Sequence, residues 1–140
     1  MLVASWIAAP GCTLGGRDPC VADGDCAGGE ECTRTGECVS EGTALRVVLR
    51  WTVAGEAPTP SAPAPCDGIG ELEVVFRGEF EVERYRPVPC ELGQAVYDKM
   101  PPGYDWIEVI AYDSADERLD ARSAQLEPSG ESDILIDLAP

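Results

Sequence analysis

The chain has 140 residues and a formal net charge of −16. An acidic surface of this kind repels nucleic acid and anionic lipid headgroups, so we expect neither as a partner, whereas basic proteins and divalent cations are permitted. The sequence contains no histidine, which excludes Ser-His and Cys-His nucleophile systems and the usual catalytic zinc ligands. It also lacks a G-x-S-x-G elbow and a glycine-rich phosphate loop. We therefore expect a protein that is not an enzyme and that needs no cofactor.

The chain begins with a short apolar leader that ends at Cys12. Residues 2–11 are uncharged and mostly apolar, which is typical of the second half of a signal peptide. The segment Ala9-Pro10-Gly11-Cys12 resembles a bacterial lipobox, in which a signal peptidase cleaves before a cysteine that is then acylated. We therefore expect residues 1–11 to be a partial signal peptide and residues 12–19 to be a lipidated tether that anchors the protein to the membrane. In the alternative, Cys12 is buried or makes a further disulfide in an ordinary secreted chain.

The next segment, residues 20–39, is a cysteine-rich module with one cysteine in every six residues: Cys20, Cys26, Cys32 and Cys38. Its few aliphatic side chains cannot offset the chain entropy by burial, so crosslinks must hold it. Zinc ligands usually come in closely spaced pairs, which are missing here, so we predict two disulfides rather than a zinc site. Of the three possible pairings we favour Cys20 with Cys32 and Cys26 with Cys38, because interlocking loops constrain the chain more.

The acidic residues of this module could suggest calcium, but an EF-hand requires an oxygen ligand where Ala27 stands, so we interpret them as solvated turn residues. The module also resembles the C-x-x-D-x-D-C-x-x-G-x-x-C segments of dickkopf-type N-terminal regions and of myxobacterial-type surface lipoproteins. The matching residues are Cys20, Asp23, Asp25, Cys26, Gly29, Cys32 and Cys38. The resemblance implies a secreted, crosslinked module without an activity of its own.

From residue 40 onward, short alternating runs broken by glycine and proline predict β-strands. In residues 46–53, for example, Val47, Leu49, Trp51 and Val53 share one face. About seven strands at roughly ten-residue spacing, with no convincing amphipathic helix, are typical of a two-sheet sandwich. We therefore predict an all-β fold in which residues 40–140 form an antiparallel two-sheet sandwich behind the small disulfide-rich module.

One hairpin is expected between the runs that contain Phe76 and Phe80. If these two residues pair, Glu73 and Glu83 lie opposite each other on the outer face, which is unfavourable unless an arginine or a cation intervenes. The arginines near enough in the sequence are Arg77, Arg84 and Arg86.

Two tryptophans are candidates for stacking on sugar rings. Trp51 shares its face with Val47 and Leu49, so we predict that it belongs to the core. Trp106 lies on the polar side of a strand whose other face is apolar, and it is our candidate for surface contact with a ligand. The acidic residues that we add to this candidate carbohydrate or calcium site are Glu73, Glu81 and Glu83.

Cys66 and Cys90 are predicted to pair with each other and to close a loop of about 25 residues. Pairing of either one with the N-terminal module is the alternative. Before Cys66, residues 55–65 are rich in proline and small side chains, which predicts a stiff, extended loop of polyproline character. We interpret this loop as a tolerated insertion, with a functional projection as the alternative.

The stretch Met100-Pro101-Pro102-Gly103-Tyr104 and the strand after it resemble the turn and strand of transthyretin-like and carboxypeptidase-regulatory-type sandwiches. A wider pattern is similar to domains of myxobacterial-type lipoproteins and is carried by Trp51-Thr52-Val53, Cys66, Val74, Phe76, Cys90 and Gly103. The resemblance implies a transthyretin-like or immunoglobulin-like sandwich and leaves the function open.

Taken together, these features predict a bacterial cell-envelope lipoprotein held by its lipid at the outer membrane or cell surface, and otherwise a secreted or periplasmic protein. We expect it to act as a non-catalytic binding or structural module whose partner is an unidentified protein or glycan. The alternatives are a carbohydrate- or calcium-binding sandwich and an accessory subunit of a secreted enzyme complex.

Overall fold

The structure is a computed structural model and describes residues 18–140. The expected signal peptide at residues 1–11, Cys12 and all but the last two residues of the expected tether lie outside the described residues. Within residues 18–140 the chain forms β-strands and three short 3-10 turns, at Asp23–Asp25, Ala64–Cys66 and Cys90–Leu92, so the predicted all-β fold is confirmed. The nine strands of this range are β1 (Glu30–Cys32), β2 (Cys38–Ser40), β3 (Leu45–Val53), β4 (Glu71–Gly78), β5 (Val82–Val88), β6 (Gln94–Met100), β7 (Tyr104–Tyr112), β8 (Arg118–Gln125) and β9 (Glu131–Leu138).

Seven of these strands form the two sheets of a sandwich, with the orders β6-β3-β9 and β5-β4-β7-β8, while β1 and β2 make a separate hairpin. Neighbouring strands are antiparallel except β3 and β9, which run parallel from the pair Arg46 and Glu131 to the pair Val53 and Leu138. The predicted sandwich is therefore not antiparallel throughout. The reason lies in the connection: β9 follows a strand of the opposite sheet, so no hairpin fixes its direction against β3.

The core lies between the two sheets and is built from alternate residues of the strands. Trp51 is 1% exposed, and its Nε1 donates to the carbonyl oxygen of Cys90 at 2.8 Å, so its predicted place in the core is confirmed. Phe76 is fully buried from the other sheet and meets the Tyr97 ring edge to face at 5.0 Å. The same layer holds Leu45, Val47, Leu49, Val53, Leu72, Val74, Ile107, Val109, Ala111, Ile136 and Leu138.

Three disulfides crosslink the described chain. Cys20 pairs with Cys32 and Cys26 with Cys38, which is the interlocked arrangement predicted for the module. Cys66 pairs with Cys90, as predicted, and joins the 3-10 turn before β4 to the one before β6. The sulfur atoms of Cys20, Cys26 and Cys32 lie within 4.8 Å of one another, but all three are in disulfides and cannot act as thiolate ligands.

The proline-rich loop at residues 55–65 differs from the stiff, extended loop that its composition predicts. Isolated bridges between Val53 and Glu56 and between Thr59 and Ala62 fold it into two tight turns. Pro58 is buried, and its carbonyl oxygen approaches Gly93 so closely that a Cβ atom there would lie 2.4 Å away. The loop is therefore packed against the residue before β6, because Gly93 has no Cβ atom and allows the two backbones to meet.

The hairpin of β4 and β5 also differs from the expectation. Phe76 lies opposite Glu83 and not opposite Phe80, a shift of three residues. Since an odd shift exchanges the two faces of a strand, Glu83 lies on the side of Phe76 and not opposite Glu73 on the outer face. Phe80 lies in the turn and is 90% exposed.

Candidate functional site

The outer face of the four-stranded sheet carries the predicted contact residue Trp106. Its neighbours across the sheet are Arg77 on β4 and Gln125 on β8. Ile107 and Val109, on the opposite face of the same strand, are fully buried in the core, so alternation directs Trp106 outward. The residue is 47% exposed, which leaves its ring open to a ligand.

Three arginine–carboxylate pairs cross the same outer face. Arg77 binds Glu108 at 3.1 Å, Arg84 binds Glu73 at 2.8 Å, and Arg86 contacts both Glu71 and Asp116. The Arg86 guanidinium also lies over the Tyr112 ring, 3.9 Å from its centroid. These pairs neutralise most of the outward-facing charge in the middle of the sheet.

Glu73 is a structural residue of this network rather than a free ligand. It is only 7% exposed, and its Oε1 accepts a hydrogen bond from Nη1 of Arg84. A carboxylate buried to this degree requires a partner to compensate for lost hydration, and Arg84 supplies it. One of the nearby arginines thus does neutralise Glu73, although the like-charge pair with Glu83 that prompted the expectation is absent from the register.

The three predicted glutamates do not converge on one cation. Glu83 shares the side of Phe76, whereas Glu73 lies on the outer face, so the sheet separates them. Glu81 stands in the hairpin turn, where it and Glu83 belong to a different group of acids that includes Glu37 of the cysteine-rich module. A calcium site that uses all three of Glu73, Glu81 and Glu83 is therefore not formed in this structure.

This second acidic group lies where the module meets the hairpin end of the sandwich. Burial, together with the charges of Glu81, Glu83 and Glu37, raises the pKa of Tyr104 to about 12. Burial and the charge of Glu81 likewise raise the pKa of Glu37. Burial is the larger cause of both shifts, and the neighbouring carboxylates add to it.

The turn between β4 and β5 exposes Phe80, which was predicted to lie in a strand. The Gly78 N–H donates to the carbonyl oxygen of Glu81 at 2.8 Å, which closes the turn around Glu79 and Phe80. A Cβ atom on Gly78 would lie 2.2 Å from the carbonyl oxygen of Gly103, so only glycine allows this contact between two turns. A cavity of 280 Å³ opens beside the turn and is lined by Glu79, Phe80, Glu81, Pro102, Gly103 and Asp105. The local signal for this turn was Gly78 followed by a phenylalanine between two glutamates.

The cysteine-rich module contacts the sandwich through the stacked side chain of Arg34 and an ion pair between Asp23 and Lys99. The Arg34 guanidinium lies over the rings of Tyr85 and Tyr97, at 4.9 and 5.1 Å from their centroids. The backbone N–H of Arg34 donates to the carbonyl oxygen of Lys99 at 2.8 Å, and the side-chain Nζ of Lys99 donates to the carboxylate of Asp23 at 3.0 Å. Burial raises the pKa of Tyr97 to about 12, in spite of the opposing effect of the arginine. The module is thus fixed to the open edge of the sandwich, between β5 and β6.

A second, more apolar groove of 430 Å³ lies on the outer face of the three-stranded sheet. Its walls are the proline-rich loop and the turn before β6, and Leu92 and Leu135 are among its exposed lining residues. The loop thus shapes a groove, although its own side chains are small.

No protein-family model matches the chain, and no curated protein is significantly similar to it. Within residues 18–140 the structure contains no helix that is both long and apolar enough to cross a membrane.

Proposed function

We propose that this protein is a bacterial cell-envelope lipoprotein, anchored through Cys12, that acts as a non-catalytic binding or structural module at the cell surface. The observation that carries the proposal is the crosslinked module fixed against the sandwich. Disulfides persist in oxidising compartments, and a segment this poor in apolar side chains depends on them. The module also stands directly after the expected tether and holds the sandwich through Arg34, Lys99 and Asp23.

This arrangement suits the display of a sandwich close to a membrane. A flexible connection would leave the sandwich free to reorient, whereas stacking of Arg34 on two tyrosines and the ion pair of Lys99 with Asp23 give it a defined orientation relative to the cysteine-rich module. The absence of histidine from the sequence supports a role in binding or structure rather than in catalysis.

The test is an intact mass of the protein extracted from the membranes of its native host, with and without reduction and alkylation. We expect a chain that begins at Cys12 and carries acyl mass, with six further thiols appearing only after reduction. The matched control is Cys12→Ala, which should leave the membrane fraction. An unlipidated chain with a free seventh thiol would contradict the proposal.

Carbohydrate binding is a second candidate, favoured by the exposure of Trp106 between Arg77 and Gln125, both of which can donate hydrogen bonds to hydroxyl groups. Saturable binding to a glycan array that is lost in Trp106→Ala, but kept in Leu135→Ala on the other sheet, would support it. Absence of any saturable glycan binding would exclude it. The calcium alternative has less support, because Glu73 is already paired with Arg84.

A further inference from the structure

Three exposed apolar side chains gather at the hairpin end of the four-stranded sheet. Val82 and Trp106 lie on either side of Arg77 in the register, and they are 50% and 47% exposed. Residues opposite each other on neighbouring strands point to the same side, so Val82, Arg77 and Trp106 share the outer face. Phe80, two residues before Val82, stands exposed at the tip of the same hairpin. We call Phe80, Val82, Trp106 and Arg77 the hairpin patch.

The turn that carries the hairpin patch is packed against a neighbouring turn. The contact of Gly78 with Gly103 packs the hairpin turn against the turn before β7, and Arg77 is fixed by its ion pair with Glu108 at 3.1 Å. A preformed surface loses little conformational entropy when it binds, and aromatic residues and arginine are the side chains that dominate binding energy in protein interfaces. The patch therefore has the composition of an interface centre and stands on a packed backbone.

Acidic side chains lie beside Phe80 at one end of the hairpin patch. Glu79, Glu81 and Asp105 line the cavity beside Phe80. The guanidinium of Arg77 is engaged by Glu108 and does not offset them. An apolar centre with a charged rim is the usual organisation of a protein interface, and a negative rim selects a positive one.

We propose that the hairpin patch binds a basic segment of a partner protein, with an apolar side chain against Phe80 and Trp106 and lysine or arginine side chains facing Glu79, Glu81 and Asp105. The inference deepens the proposed function and rests on it, because display at the cell surface is what gives such a partner access. A second copy of this chain is a poor occupant, since its net charge is also −16.

The experiment uses a random twelve-residue peptide library on phage, selected on the full-length protein and counter-selected on the double variant Phe80→Ser/Trp106→Ser. We expect the enriched peptides to combine lysine or arginine with an aromatic or aliphatic residue. A synthetic copy should bind the wild-type protein and lose about tenfold or more in affinity to Phe80→Ser, as expected for an interface anchor. Glu79→Gln/Glu81→Gln should weaken binding and reduce its dependence on salt.

The matched control is Leu135→Ser, which removes a 69% exposed leucine from the other sheet and should leave affinity unchanged. Thermal melting of each variant verifies that the fold is kept, as expected for residues this exposed. Neutral or acidic enriched peptides, or equal losses in Phe80→Ser and Leu135→Ser, would overturn the proposal. So would self-association of the wild-type protein that Phe80→Ser abolishes, or glycan binding in place of peptide binding. Whether Cys12 carries a lipid is determined separately, from the intact mass of the protein.

Discussion

The cysteine-rich module and the sandwich are held together by different forces. Of the module's residues only Cys20, Cys32 and Thr33 are buried, and two interlocked disulfides join its loops. The sandwich has a continuous core around Trp51 and Phe76, to which a single disulfide is added. A chain of this size can thus use covalent crosslinks where apolar side chains are few and rely on burial elsewhere.

The strongest test of this difference between the module and the sandwich is to remove the disulfides of each region in turn. With Cys20, Cys26, Cys32 and Cys38 replaced by serine, we expect the module to lose its structure completely, because no core remains to hold it. Cys66→Ser/Cys90→Ser is the matched control and should lower the free energy of unfolding of the sandwich by about 3 kcal/mol while leaving it folded. Amide hydrogen exchange of residues 18–40 and of the strands measures both effects. Protected amides in a cysteine-free module would contradict the assignment.

The second test compares two tryptophans of the sandwich. Trp51→Ala should lower the free energy of unfolding by about 3 to 5 kcal/mol, because it leaves a large cavity and removes the indole hydrogen bond to the Cys90 carbonyl oxygen. Trp106→Ala should change it by less than about 0.5 kcal/mol, since that ring is half exposed. Urea denaturation gives both values. Equal losses would mean that Trp106 belongs to the fold and not to a binding surface.

Alkaline pH should weaken the sandwich where the module covers it. Tyr97 and Tyr104 have pKa values raised to about 12, so the folded state favours their neutral forms. In the unfolded chain tyrosine ionises near pH 10, so this contribution is complete below about pH 10 and is lost as pH rises toward 12. Thermal melting between pH 9 and 12, with Tyr97→Phe as the non-ionising control, checks the loss. Tyrosinate absorbance that appears fully near pH 10, without unfolding, would refute it.

The contact between the two regions should contribute less than either interior. Arg34→Ala removes the cation that stacks on Tyr85 and Tyr97, a contact of about 1 kcal/mol. We expect faster amide exchange in residues 18–40 and little change in the melting of the strands. Arg34→Lys is the conservative control and should restore part of the protection. If Arg34→Ala instead lowers the stability of the strands as much as Trp51→Ala does, the two regions form one cooperative unit and the comparison fails.

Local patterns were sufficient to predict the all-β class and the buried position of Trp51, since both follow from residues that alternate along a strand. The even spacing of four cysteines allows three pairings, so the pairing within the cysteine-rich module was favoured by the sequence but not determined by it. The direction of β9 against β3 was not predictable in this way, because alternation is the same in parallel and antiparallel strands. The contact of Arg34 with two tyrosines more than fifty residues away leaves no local signal at all.

The hairpin of β4 and β5 shows why the candidate site was only partly predictable. A difference of three residues in the turn exchanges the faces of β5, which moved Phe80 to the tip and separated Glu83 from Glu73. The exposed position of Trp106 agrees with its prediction, because it depends only on alternation within β7. The folding of the proline-rich loop against Gly93 depends on a meeting of two distant backbones, which composition does not encode.

The smallest expected effect concerns the ion pair that reinforces the contact of the module with the sandwich. The backbone N–H of Cys32 and the side chain of Lys99 both donate to Asp23 and lower the pKa of its carboxyl group. Because the folded-state pKa lies below the unfolded value, the stabilisation is present above about pH 4 and is lost as pH falls further. We expect amide exchange of residues 18–40, corrected for its intrinsic pH dependence, to accelerate relative to the strands between about pH 4 and 2. Asp23→Asn should already show faster exchange at neutral pH and no further acceleration in that window. If the Asp23→Asn variant keeps the acid dependence, another carboxylate is responsible for that dependence. The nearest alternative is Asp25, because the N–H groups of Val21 and Ala22 lower its pKa.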